Sequence, residues 1–293
     1  MSPRDLARFD RVIIADWSAS GAPSPARPSA DAIWLGVCDD AGVQTQYHRT
    51  RHSAEAALTQ AITDAVLHRY RLLIGFDFPM GYPAGFAARL TGQACAQSVW
   101  AWLNDHISDA DDNRNNRFDV AARMNRQIGG DAGGPFWGRP AHLQLPDLPM
   151  RKTVDYPCLG LAERRMVETT VPRAQAVWKL YTTGAAGSQG LMGQPMIHRL
   201  SQMPQTAVWP FQTADSPVVL AEVYPSLLAK AVAADPSPIK DEAQVRLLAR
   251  ALYALSAQKN LAPLFASPQG AVITEEGWIL GADQQMALQG ALL

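Results

Sequence analysis

The chain has no apolar run long enough to span a bilayer as a helix, which excludes a helical membrane-spanning protein, and no membrane partner is expected. It has only three cysteines, Cys38, Cys95 and Cys158, odd in number and far apart. That excludes a disulfide framework, and no CxxC pair is present for zinc or redox chemistry. The six histidines, His48, His52, His68, His106, His142 and His198, form no HExxH pattern, so a histidine-held zinc site is excluded as well. GxSxG, GxGxxG and GxxxxGK[ST] are all missing, which removes the serine-hydrolase elbow and the common nucleotide loops. Charge of one sign is also lacking: 26 Lys and Arg face 27 Asp and Glu, a net of −1. The chain as a whole is therefore no polyanion binder. The opening MSPRDLARFD has no apolar stretch of signal-peptide type, which leads to the expectation of a cytoplasmic protein.

A 47% hydrophobic and 18% charged composition describes a globular chain with ample material for a core. Charge is uneven along it. Asp112 to Leu180 holds eleven Lys and Arg against seven Asp and Glu, while the remainder holds fifteen against twenty. A basic middle on an acidic body could meet phosphates, as nucleic acid or a nucleotide-like ligand, or could be a solvated insert.

The organising stretch is RVIIADWSAS. Val12, Ile13, Ile14 and Ala15 read as a buried central strand that ends on Asp16. After a Pro-, Ser- and Gly-rich loop, Ala32–Cys38 and Val43–His48 read as a hairpin across a short Gly-containing turn. Ser53 is placed to cap a helix whose Leu58, Ile62, Val66 and Tyr70 recur every fourth residue. RLLIGFDFP is a fourth strand ending on Asp77, where Pro79 helps to stop it. From about Ala84 to Pro217 the pattern is irregular, with helical pieces expected near Gln97–His106 and Val171–Tyr181. PVVLAEVYPS resumes the strand signal through Val218–Leu220 to Glu222. Asp241–Lys259 is an amphipathic helix with Val245, Leu248, Leu252 and Leu255 on one face. Ile279 and Leu280 lead into a last helix with Asp283 in its first turn. Strands alternating with helices indicate an α/β layered fold.

Asp16, Asp77, Glu222 and Asp283 each follow a short apolar run. If their strands are neighbours, these side chains gather at one end of the sheet. Crowded carboxylates repel and lose hydration, so a cation is needed to compensate, and oxygen-only ligands suit Mg²⁺ or Mn²⁺. Two such ions held a few ångströms apart activate a water and stabilise the leaving oxygen in phosphodiester hydrolysis. In TTGAAGSQGLMG, Gly184, Gly187 and Gly190 are spaced by three and can expose backbone N–H groups to an anion, with Lys179 just before them; a flexible turn is the competing reading.

The motifs ADWS, GFDFPMGYP, AEVYPS and GADQQMA resemble those of a predicted nuclease family of ribonuclease H-like fold, a domain of unknown function. The resemblance covers about residues 10–90 and 215–293. It implies a mixed five-stranded sheet with its first three strands antiparallel, flanking helices and a large, mostly helical or irregular insertion. It also implies a divalent-metal site at Asp16, Asp77, Glu222 and Asp283. The chain divides accordingly into a core, 1–90 and 215–293, and an insertion or cap, 91–214. NRFDVAARMNRQIGG, GPFWGRP and WKLYTTGAAGSQGLMGQP in the insertion resemble a proteobacterial set often labelled molybdopterin-guanine dinucleotide synthesis proteins. Two expectations follow: a Mg- or Mn-dependent phosphodiester hydrolase, or a non-catalytic binder of a phosphorylated small molecule such as a nucleotide or molybdopterin-type cofactor.

Overall fold

The computed structural model describes residues 8–129, 133–171 and 173–293. Six strands form one mixed sheet: β1 (Arg11–Asp16), β2 (Ile33–Asp39), β3 (Gly42–His48), β4 (Leu72–Phe76), β5 (Thr206–Trp209) and β6 (Val218–Glu222). Their order is β3-β2-β1-β4-β6-β5. β2 and β3 pair antiparallel, as the hairpin pattern indicated, β1 pairs antiparallel with β2, and β1, β4, β6 and β5 run parallel.

The helices are α1 (Arg51–His68), α2 (Phe86–Thr91), α3 (Ala96–His106), α4 (Arg117–Gly129), α5 (Tyr156–Leu159), α6 (Met166–Thr170), α7 (Ala186–Ser201), α8 (Ala229–Ala233), α9 (Lys240–Ala257), α10 (Ala271–Glu276) and α11 (Gln285–Gly290). Among the described residues no helix is long and apolar enough to cross a membrane.

Central strands read as continuous apolar runs because both sheet faces are covered. Along β1, Val12 and Ile14 pack into one core while Ile13 and Ala15 pack into the other. In β4 and β6 the same alternation sends Leu73, Val219 and Ala221 to the first face and Leu72, Ile74, Val218 and Leu220 to the second. The first face is covered by α9, through Val245, Leu248, Leu252 and Leu255, and by Leu288 of α11. The second is covered by Leu58 and Ile62 of α1, Trp100 of α3 and Met196 and Ile197 of α7. A third core gathers Phe86 and Phe136 around the stacked rings of Tyr82 and Trp178, with Phe136 edge-on to Trp178.

Three expectations need correction. The sheet has six strands, not five, because β5 lies inside the stretch read as insertion and joins β6 at the edge. A strand of four residues before a proline is too short to declare a period. Of the stretch Val171–Tyr181, in which residue 172 lies outside the described residues, the described residues are not helical: α6 stops at Thr170, and Arg173 turns back at φ 69°. Thr50, not Ser53, caps α1, its hydroxyl accepting from the Ser53 N–H at 3.3 Å.

Candidate active site

The carboxyl ends of β1 and β4 meet at the floor of a cavity of about 750 Å³. Ala15 lies opposite Phe76, and the Asp77 N–H donates to the Ala15 carbonyl at 3.0 Å. That bond carries the ladder one step past the strand and sets Asp16 beside Asp77. Both side chains fall on the face covered by α9, since Ile14 and Leu73, two and four residues earlier, pack there. Each is densely surrounded by protein yet keeps a side open to the cavity. From α9, Asp241 reaches the same rim, accepting from the backbone N–H of Asp31 at 2.7 Å.

Burial and mutual repulsion dominate the electrostatics. Asp16 is held well above the usual carboxylate range by burial, then by Asp77, Asp241 and Asp31. Asp77 is pushed up from 3.8 to about 7 by burial, then by Glu222 and Asp241, and Lys240 offsets this only weakly. Among the described residues neither carboxylate has a salt-bridge partner. A pair so placed seeks a proton or a cation.

Glu222 is different. Its position level with Phe76 puts it on the opposite parity from Asp77, with Val218 and Leu220. It is fully buried, and Arg165 takes both its oxygens, at 2.8 and 2.6 Å, while the Met80 N–H donates to one of them at 2.9 Å. Arg165 also pairs with Glu168 at 2.8 Å and donates to the Glu276 carbonyl. Both Glu222 oxygens are thereby engaged, and it lends a wall to the cavity rather than a free ligand.

Compared with known proteins, the chain matches no family model, no curated protein and no solved structure.

Asp283 does not join the carboxylates. It is exposed in the turn before α11, and the chain meets the cavity instead at Ile279, which bridges to Glu222. The glycines also serve another purpose. Gly187 and Gly190 lie in α7, where an added Cβ would come within 2.2 Å of the Val177 carbonyl and 3.2 Å of Pro79. Their spacing of three is a packing stripe that lets α7 settle on its neighbours. Gly184, at φ 77°, does border the cavity. Lys179 does not: its Nζ donates to the Thr183 carbonyl and stands over the Trp137 ring.

Arg117, one of the arginines upstream of the glycines that could supply positive charge to a bound anion, lines the cavity; Arg165, Asp31, Asp241 and Gln244 line it too and were not foreseen. The buried Gln244 borders it with no hydrogen-bond partner for its amide among the described residues. Only Asp241 carried a local signal, an acidic residue opening a strongly amphipathic helix.

The donor set decides which ions fit. Among the described residues no three histidine, cysteine or carboxylate side chains converge as a ready-made metal cage. Asp16 and Asp77 alone offer free oxygens from strand ends. Two carboxylates suit one hydrated Mg²⁺ or Mn²⁺, which keeps waters and takes its other ligands from substrate phosphate. They do not suit two ions, because Glu222 is committed to Arg165 and Asp283 lies elsewhere.

Proposed function

We propose that the chain is a phosphodiester hydrolase of ribonuclease H-like core, working with one divalent cation at Asp16 and Asp77. The observation that carries this reading is the pair itself. Two carboxylates stand side by side at parallel strand ends, facing a cavity and without a salt bridge among the described residues. The sheet order supports the core assignment: an antiparallel β3-β2-β1 unit followed by parallel β4 and β6 is what the resemblance implied, with β5 added outside it.

When bound, Mg²⁺ or Mn²⁺ would polarise a phosphoryl oxygen and acidify a bound water. Asp16 and Asp77 orient from both sides because the strand ladder fixes their backbones. Asp241 and Asp31 add negative potential at the rim, which raises local cation concentration. Arg165 engages both oxygens of Glu222, so that Glu222 adds to the negative potential at Asp77 without being a free ligand.

Calorimetric titration with Mn²⁺, in the presence of a phosphodiester such as bis(p-nitrophenyl) phosphate, tests the reading. One ion per chain is expected, with binding and hydrolysis both lost in Asp16→Asn and Asp77→Asn. Wild-type protein that binds no ion even with the ester present would overturn it. Ion binding without any turnover would leave a non-catalytic binder of a phosphorylated small molecule.

A further inference from the structure

Arg117, the first residue of α4, borders the same cavity from the insertion side. The charges acting on Asp16 are Asp77, Asp241 and Asp31, whereas those acting on Arg117 are Arg51 and Asp109. Different charged neighbours therefore act on the acidic pair and on Arg117.

The guanidinium is fixed in place and only partly used. Its Nε donates to the Ser188 hydroxyl at 3.1 Å, and its Nη1 donates to the Asn115 side-chain oxygen at 2.8 Å. Ser188 spends its own proton on the Leu180 carbonyl at 2.6 Å, so its lone pairs are left to face Arg117. The guanidinium carbon stands 4.3 Å from the Phe118 ring centroid. Of the five N–H donors an arginine carries, Nη2 has no partner among the described residues, and no carboxylate pairs with the group. Arg51 next to it differs: both its outer nitrogens and its Nε are consumed by Asp109, Asn113 and the Ser18 and Ser20 carbonyls.

A positive charge that is partly buried, near another cation and with no carboxylate paired to it is costly unless an anion arrives. Burial and Arg51 push Arg117 down to about 10, so it stays charged at neutral pH. The unpartnered Nη2 is left to donate a charge-assisted hydrogen bond to an oxygen of a phosphate or carboxylate. A cavity of about 750 Å³ is of small-molecule size.

We propose that Arg117 seats a second oxyanion of the substrate, a phosphate or carboxylate remote from the ester at Asp16 and Asp77. The substrate is then a small molecule with anionic groups at both ends, rather than a duplex nucleic acid. The identity of the first group rests on the hydrolase reading above; the Arg117 seat stands apart from it.

Calorimetry with inorganic phosphate on the full chain, in EDTA, tests the seat alone. Saturable binding is expected, at least about tenfold weaker in Arg117→Gln, several-fold weaker in Ser188→Ala, and equal or tighter in Asp16→Asn. Arg117→Lys, which keeps the charge but not the fork, should fall between wild type and Arg117→Gln. Near-identical affinity in wild type and a folded Arg117→Gln, or binding lost in Asp16→Asn, would overturn the proposal. Should Arg117→Gln unfold, Ser188→Ala and Arg117→Lys decide instead, and unchanged affinity in both would overturn it. Phosphate binding retained with no Mn²⁺ binding would sink the hydrolase reading and leave the seat standing; the reverse result would sink the seat.

Discussion

Holding Asp16 and Asp77 side by side opposes folding once both ionise, because burial and their neighbours penalise the charged forms. In the native state Asp77 keeps its proton up to about pH 7, whereas an unperturbed aspartate releases it near 3.8. The native state therefore binds more protons than the unfolded state across that window, and stability falls as pH rises through it. Asp77→Asn removes the ionisable group. It is expected to raise the melting temperature at pH 8 by roughly 2–6 °C and to change it little at pH 4. Thermal melts at the two pH values check this, and equal shifts at both would contradict it. Glu222 shows the other way to bury an acid: Arg165 meets both its oxygens, so its charge is matched within the fold.

Elements position these residues through close approach. β2 carries Gly36 under α9, where an added Cβ would lie 2.4 Å from the Val245 carbonyl oxygen. That contact is with backbone, so no rotamer change relieves it. Gly36→Ala is expected to lift α9 and destabilise the fold by about 1–3 kcal/mol, the usual penalty for overpacking. Because Asp241 opens α9, the same variant should also weaken Mn²⁺ binding. Denaturant unfolding and calorimetry on one preparation would read both effects; wild-type stability would show that α9 is not seated as closely as described. The α7 stripe works alike, with a Cβ on Gly193 falling within 2.3 Å of the Phe78 ring, just beyond Asp77.

At the scale of the molecule, two cores sandwich the sheet, a third fills the insertion, and the cavity opens where sheet end, α9 and insertion meet. An ion that binds only the folded form must stabilise it, by about 2.7 kcal/mol at a free concentration 100 times its Kd. Mn²⁺ at pH 8 is therefore expected to raise the melting temperature of wild type and to leave Asp16→Asn unmoved. Equal rises in both proteins would remove the ion from this site.

The sequence by itself determined the local pieces. Short apolar runs ending on Asp16, Asp77 and Glu222 marked β1, β4 and β6, and four-residue periodicity marked α1 and α9, because these signals repeat within one element. Tertiary structure alone decided which charges meet. The register of β6 against β4 sent Glu222 to the other face and into Arg165, the turn before α11 carried Asp283 away, and the packing of α9 and α4 brought in Asp241 and Arg117. Those pairings join residues far apart in the chain, and one residue of strand register reverses the face of a side chain, so no local pattern could encode them.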